Sequence, residues 1–152
     1  MPETMSETER RARLSEGCSH PAIYAGVAAA LGAVHRGGGT LVDVGCGSGA
    51  LWHVLRPAFA RYVGVDIVKY EGFPLDAEFV AGNLDDGPLP LADDYADVIA
   101  SVETIEHLEN PRSPWSRAVQ HFPRDPLGHM LSFVTICRNP SRRAPLGPSN
   151  HV

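Results

Sequence analysis

Cysteine is scarce: the chain has three in 152 residues, at 18, 46 and 137, with no C-x-x-C spacing and one left over in any pairing. Reduced thiols in a cytoplasmic setting are expected from that count. No hydrophobic run is long enough to cross a bilayer, the longest being the apolar stretch from Ala22 to Val34. The N-terminal segment MPETMSETERRARLSEG lacks the apolar core of a signal peptide, so no membrane partner is expected. Positive charge is not in excess either. A net charge of -5 gives no sign of a nucleic-acid face, although it leaves room for a local basic patch, and nucleic acid is not the expected partner. No internal repeat is present.

What is there has the composition of one globular domain, 43% hydrophobic and 20% charged. A chain of this length buries roughly two thirds of its unfolded surface. The composition changes along the chain. Of the 18 acidic residues only Asp125 lies beyond Glu109, whereas seven of the 13 prolines stand from Pro111 onward. This divides the chain into a polar leader over 1–18, a patterned domain over 19–112 and a proline- and arginine-rich tail over 113–152.

A short helix is expected around Glu7–Leu14, with little to bury. Residues 21–34 predict an amphipathic helix with Pro21 in its first turn and Ile23, Val27, Ala30 and Val34 on one face. Gly37, Gly38 and Gly39 end it. Four strands are expected at 40–44, 61–66, 77–81 and 96–102, with a helix over about 49–57 stopped by Pro57. Strands alternating with helices or long crossovers indicate a parallel, doubly wound α/β sheet.

The segment Asp43-Val-Gly45-Cys46-Gly47-Ser-Gly49 carries the chemistry. Glycines where a strand turns into a helix let the backbone approach a ligand and adopt positive φ. The following helix is expected to offer unpaired N–H groups and a positive dipole end. Asp66 ends the next strand, 21 residues after Gly45, and its two oxygens suit a ribose diol. The run Gly45 to Ala50 also satisfies G-x-G-x-x-G/A, which leaves a nicotinamide- or flavin-dependent oxidoreductase open. Asp43 weighs against that alternative, because a carboxylate repels a pyrophosphate and attracts an α-ammonium and a sulfonium.

The motif V-D-V-G-C-G-S-G resembles the first motif of class I S-adenosylmethionine-dependent methyltransferases, and G-V-D at 64–66 resembles their ribose-binding second motif. Ala81-Gly82-Asn83-Leu84-Asp85 is similar to the third, whose polar side chain contacts adenine; the family commonly has aspartate where Asn83 stands, with Asp85 a substitute candidate. Asp97 to Glu103 resembles the fourth strand, beneath the reactive methyl. The resemblance spans about residues 20–112. It implies a Rossmann-like sheet, S-adenosyl-L-methionine as cofactor, and a small or medium-sized methyl acceptor. It implies cofactor contacts at Asp43, Gly45, Cys46, Gly47, Gly49, Asp66, Asn83, Leu84, Ser101 and Glu103.

Methyl transfer from an activated sulfonium asks the protein mainly to position the acceptor. Glu103-x-x-Glu106-His107 resembles a segment of small-molecule O- and N-methyltransferases in which the histidine can serve as general base, and His107 is the catalytic candidate. A sharper alternative reads Glu103, Glu106 and His107 as metal ligands, as in small-RNA 2′-O-methyltransferases. His121, His129 and His151 complete no such motif, so no metal is expected. His20, His35 and His53 read as surface or helix-end residues, Cys46 as a small spacer, and Trp52 as packing on the first helix of the sheet.

After Pro111 the family pattern is lost. A short helix at Trp115–His121 and one strand over 131–136 are the remaining elements, and prolines at 123, 126, 140, 145 and 148 prevent more. The sheet is therefore expected to be incomplete, with about four to five of the family's seven strands. The tail reads as a frameshifted or truncated end of a longer methyltransferase. Two further readings share the loop: a non-catalytic cofactor-binding remnant or interaction module, and a short form whose sheet a partner chain completes.

Overall fold

The computed structural model describes residues 5–92, 95–110 and 134–138. Helix α1 (Glu7–Leu14) begins where the Ser6 hydroxyl accepts the Glu9 N–H at 3.1 Å. Glu7 and Glu9 in its first turn and Arg11 and Arg13 in its last complement the helix dipole. Helix α2 (Pro21–Val34) carries its proline in the first turn, and the His20 ring accepts the Ala22 N–H at 3.2 Å. Strand β1 (Thr40–Val44), helix α3 (Ala50–Leu55), and strands β2 (Arg61–Asp66), β3 (Glu78–Ala81) and β4 (Val98–Val102) follow. A single 3-10 turn, Ile105–His107, comes next, and β5 (Val134–Arg138) is the last described element.

The sheet order is β3-β2-β1-β4-β5. The first four strands are parallel, with Asp43 level with Gly64 on one side and Ala100 on the other. Strand β5 departs from the parallel expectation and runs antiparallel to β4. Of the strand expected over 131–136, residues 131–133 lie outside the described residues, and the strand continues to Arg138. An antiparallel neighbour needs no crossover helix, and residue patterning alone does not fix strand direction. The helix expected at Trp115–His121 lies outside the described residues.

Alternation along β1 and β2 sends side chains to two cores. Leu41 and Tyr62 face α2 and α3 and pack with Val27, Leu31, Leu51, Trp52 and Leu55. Val42, Val44, Val63 and Val65 face the other way and meet Leu84, with loop residues Leu89, Leu91 and Tyr95 beyond. Helices thus cover one face, and among the described residues loops and the 3-10 turn cover the other. The buried stripe of α2 also differs from expectation. Ala30 is exposed, and Ile23, Tyr24, Val27, Ala28 and Leu31 face the core, because Tyr24 and Leu31 bury far more apolar area than an alanine. Helix α3 is shorter than expected and ends at Leu55; Arg56 caps it with helical dihedrals and its N–H donates to the Trp52 carbonyl, directly before Pro57. Among the described residues no helix is long and apolar enough to cross a membrane.

Candidate functional site

Strand β1 delivers the glycine loop to the carboxyl end of the sheet, where open parallel sheets bind ligands. Every N–H from Gly45 to Gly49 is already taken by the protein. Gly45 and Cys46 donate to the Val65 carbonyl at 2.8 and 3.2 Å, Gly47 to Asp66 Oδ2 at 2.8 Å, Ser48 to the Gly17 carbonyl at 2.6 Å, and Gly49 to the Cys46 carbonyl at 2.9 Å. The loop thus spends its own N–H groups on its neighbours, and in the first turn of α3 the Trp52 N–H goes to the Gly49 carbonyl at 3.0 Å. The nest of donors that a pyrophosphate requires is filled.

The glycines are explained by the same neighbours. Gly45 has φ 74°, and a Cβ there would lie 2.2 Å from Thr104 Oγ1. A Cβ on Gly47, at φ 52°, would lie 2.0 Å from the Gly17 carbonyl oxygen. Protein atoms make these close approaches. The Ser101 hydroxyl donates to the Val44 carbonyl at 3.0 Å, and Thr104 Oγ1 lies 3.1 Å from that same oxygen. The two hydroxyls tie β4 and the segment that follows it to the Val44–Gly45 peptide.

Asp43 is 2% exposed. Its register neighbours, Gly64 and Ala100, leave room beside it, and Tyr62 on β2 donates to its Oδ2 at 2.6 Å. Oδ1 is buried without any hydrogen-bond partner. Burial pushes the carboxyl up to about 7; the Tyr62 hydroxyl pulls it down, and the nearby Asp66 charge adds to the rise. A buried, half-satisfied carboxylate is costly unless a cationic donor completes it.

Asp66 accepts three N–H groups, from Gly47 at 2.8 Å, Ile67 at 2.7 Å and Val68 at 3.4 Å. Burial raises its carboxyl and those donors lower it, with burial the larger effect. Each carboxylate oxygen has two lone-pair positions, so Oδ2 retains one for a hydroxyl donor. Cys46 packs over Gly64, and burial pushes its thiol pKa up, which suits a spacer rather than a nucleophile.

Asp43, Gly45, Cys46, Gly47, Asp66, Asn83, Leu84, Glu103 and His107 all line one cavity of about 410 Å³. That volume suits a small organic ligand. Gly49 and Ser101 are not on its wall: Gly49 caps α3 under Phe73 and Pro74, and Ser101 holds the Val44 carbonyl. Asp85 is off the wall too, accepting the Asn110 N–H at 2.7 Å. Asn83 lies on the wall but spends its amide on Asp86 (2.7 Å) and the Asp85 N–H (3.1 Å). Glu103 follows β4 with φ 48°, a left-handed backbone that costs a non-glycine residue about 1 kcal/mol or more. Glu106 and His107 are exposed at the mouth. Among the described residues no three His, Cys, Asp or Glu groups converge as a metal site, so Glu103, Glu106 and His107 do not form a joint ligand set.

The opposite wall comes from a segment expected to do little. Thr8, Arg11 and Ala12 of α1, with Ser15, Gly17, Cys18 and Ser19, line the cavity with the loop. Helix α1 buries no residue, yet it is held: Tyr70 donates to the Ala12 carbonyl, Arg11 pairs with Glu109, and Ser48 donates to Gly17. Its polar sequence has no apolar stripe to announce this role. Thr104 and Tyr24 are further wall residues that no motif marks. Trp52 is buried in stacking on Tyr62 and donates to Asp76, and His20, His35 and His53 stand away from the cavity.

No curated protein matches the chain. Among solved structures, YcgJ from Bacillus subtilis is similar at 22% identity over 60% of this chain, with a TM-score of 0.49. The match covers 42% of the YcgJ chain. The family model described as a methyltransferase domain matches residues 18–145, which runs beyond Pro111, where the recognisable motifs end. With most of its length matched, this chain belongs to the methyltransferase domain family.

Proposed function

We propose that this chain binds S-adenosyl-L-methionine in the cavity beside the glycine loop and transfers its methyl group to oxygen or nitrogen of a small or medium-sized acceptor. One observation carries the reading: Asp43 lines the cavity, and its buried Oδ1 has no donor. The α-ammonium of the cofactor's amino-acid end supplies that donor and neutralises a charge that burial disfavours. Dinucleotides fit poorly, since a second negative group would meet Asp43 and the loop N–H groups are spent.

When bound, the cofactor supplies a sulfonium-activated methyl group that an acceptor lone pair takes by in-line displacement. The chain's own residues bind and orient. Asp66 accepts one ribose hydroxyl at the lone-pair position left on Oδ2, and Leu84 and Ile67 give the adenine an apolar bed. Ser101 and Thr104 fix the Val44 peptide and so the direction of Asp43. His107, exposed at the mouth, takes the proton that the acceptor sheds.

Incubation with methyl-tritiated cofactor and pools of small amines and hydroxyl compounds tests transfer. Label appearing in an acceptor, and lost in Asp66→Ala, is the expected result. Saturable cofactor binding with no label transferred to any pool would instead assign the chain a non-catalytic, cofactor-binding role.

A further inference from the structure

The cavity wall beside β4 holds a strained acidic residue. Glu103 lines the cavity with φ 48°, and Glu16 is the other non-glycine residue in the left-handed region among those described. The neighbours of Glu103 impose that turn. Thr104 Oγ1 lies 3.0 Å from the Val102 carbonyl, across Glu103, and 3.1 Å from the Val44 carbonyl on β1. Thr104 fits there because Gly45 lacks a Cβ, which would stand 2.2 Å from Oγ1. Left-handed backbone at a bulky residue persists where the surrounding structure over-determines it, and it clusters at functional sites. Among the described residues the Glu103 carboxylate makes no hydrogen bond or ion pair, and neither does that of Glu106 at the mouth.

The charges on the wall are one-sided. Besides Glu103 and Glu106 it carries Asp43 and Asp66, which the cofactor reading spends on an ammonium and a ribose hydroxyl. Arg11 is its one arginine or lysine among the described residues, and that guanidinium is ion-paired with Glu109. Lys69 stands off the wall, over the Phe73 and Phe79 rings. An anionic acceptor would meet the Glu103 and Glu106 carboxylates with no uncommitted arginine or lysine to answer it, whereas a cation is attracted by both. The sheet order sets the side on which an acceptor lies. Asp66 ends β2, Asp43 lies on β1, and Glu103 follows β4, on the far side of β1 from β2. With the ribose at β2 and the ammonium at β1, the β4 side is left for the acceptor. Resting on the cofactor reading above, we propose that the methyl acceptor is a small molecule carrying a cationic group, and that Glu103 is the specificity residue that selects it. Thr104 is the positioning residue that holds Glu103 in its turn.

The test uses three phenols of similar size and different charge: tyramine (cationic), 4-ethylphenol (neutral) and 4-hydroxyphenylacetate (anionic). Each is titrated into the chain saturated with S-adenosylhomocysteine, and its Kd is read by ligand-observed NMR at pH 8. Tyramine should bind about 5- to 20-fold tighter than either of the others, between an exposed ion pair and a hydrogen bond to a charged group. Glu103→Gln should remove most of that advantage over 4-ethylphenol, and Glu103→Lys should turn the preference toward 4-hydroxyphenylacetate. Glu103→Gly takes φ 48° without strain, so it should fold at least as stably and lose the preference too. The readout is a ratio between ligands, which a change in folding or in cofactor affinity leaves in place. Equal binding of the three phenols by wild type, or binding of none, would overturn the proposal. So would a tyramine preference that survives in both Glu103→Gln and Glu103→Gly. A folded chain, checked by circular dichroism, that fails to bind S-adenosylhomocysteine overturns the cofactor reading and this proposal with it; S-adenosylhomocysteine binding without a charge preference overturns this proposal alone.

Discussion

Replacing Asp43 by asparagine should stabilise the ligand-free chain at alkaline pH while removing its affinity for the cofactor. The carboxyl is pushed up to about 7 from 3.8, with burial the main cause. Its folded pKa exceeds its unfolded one, so between about pH 4 and 7 the folded chain holds a proton that the unfolded chain has released. Stability from this group is complete below about pH 4, falls as pH rises, and is fully lost above about 7. About three pH units correspond to a ceiling on the order of 4 kcal/mol. Water entering from the cavity reduces that, and about 2–3 kcal/mol is a reasonable working figure at pH 8. Asparagine keeps an acceptor for Tyr62 and carries no charge to bury. Thermal melts of ligand-free wild type and Asp43→Asn should differ by roughly 5–10 °C in favour of the variant at pH 8. At pH 5, where wild type is already mostly protonated, the gain should shrink to less than half. Equal melting temperatures at both pH values, or a loss at pH 8, would refute the buried-charge reasoning.

Three other outcomes follow from the same geometry. Gly45→Ala places a Cβ against Thr104 at a left-handed φ and should cost roughly 2–4 kcal/mol in urea unfolding; adding Thr104→Ala removes the contacts at 2.2 and 2.3 Å but leaves the Thr104 Cβ position at 2.7 Å, so it should recover only a fraction of the steric cost. Tyr62→Phe removes the donor that lowers the Asp43 carboxyl, so the pH midpoint for cofactor affinity, set near 7 in wild type, should move upward in titrations across pH 6–9. His107→Asn should lower kcat by about 100-fold or more and leave the cofactor Kd unchanged, measured by initial rates beside calorimetry.

Strands β1, β2 and β4 were readable because each is rich in β-branched residues and bounded by a glycine, an aspartate or a turn, and the sequence reading placed β1 and β2 at the bounds found; β3, with Val80 as its one β-branched residue, is the weakest signal. Strand β5 was visible as an apolar run, but its direction depends on which neighbour it pairs with, and spacing carries no such information. In α2 the helical period was legible, while the choice between Ala30 and Leu31 for the buried stripe rested on side-chain volume against the sheet. The loop was legible as a site and its chemistry less so. Nothing in G-C-G-S-G says that Val65, Asp66 and Gly17 consume its N–H groups, because those partners are brought in by tertiary packing. Arg11 was the hardest to see. A charged residue on an amphiphile-free helix reads as surface, and only the fold brings it to the cavity wall.

The central claim, an S-adenosylmethionine site at Asp43 and Asp66, is tested most directly by calorimetric titration of the purified chain at pH 8 beside Asp66→Ala, with NADH as the competing ligand. Saturable binding of S-adenosylmethionine, lost in the variant and absent for NADH, is the result the account predicts. A folded chain that binds NADH, or that binds S-adenosylmethionine equally well without the Asp66 carboxylate, would contradict it.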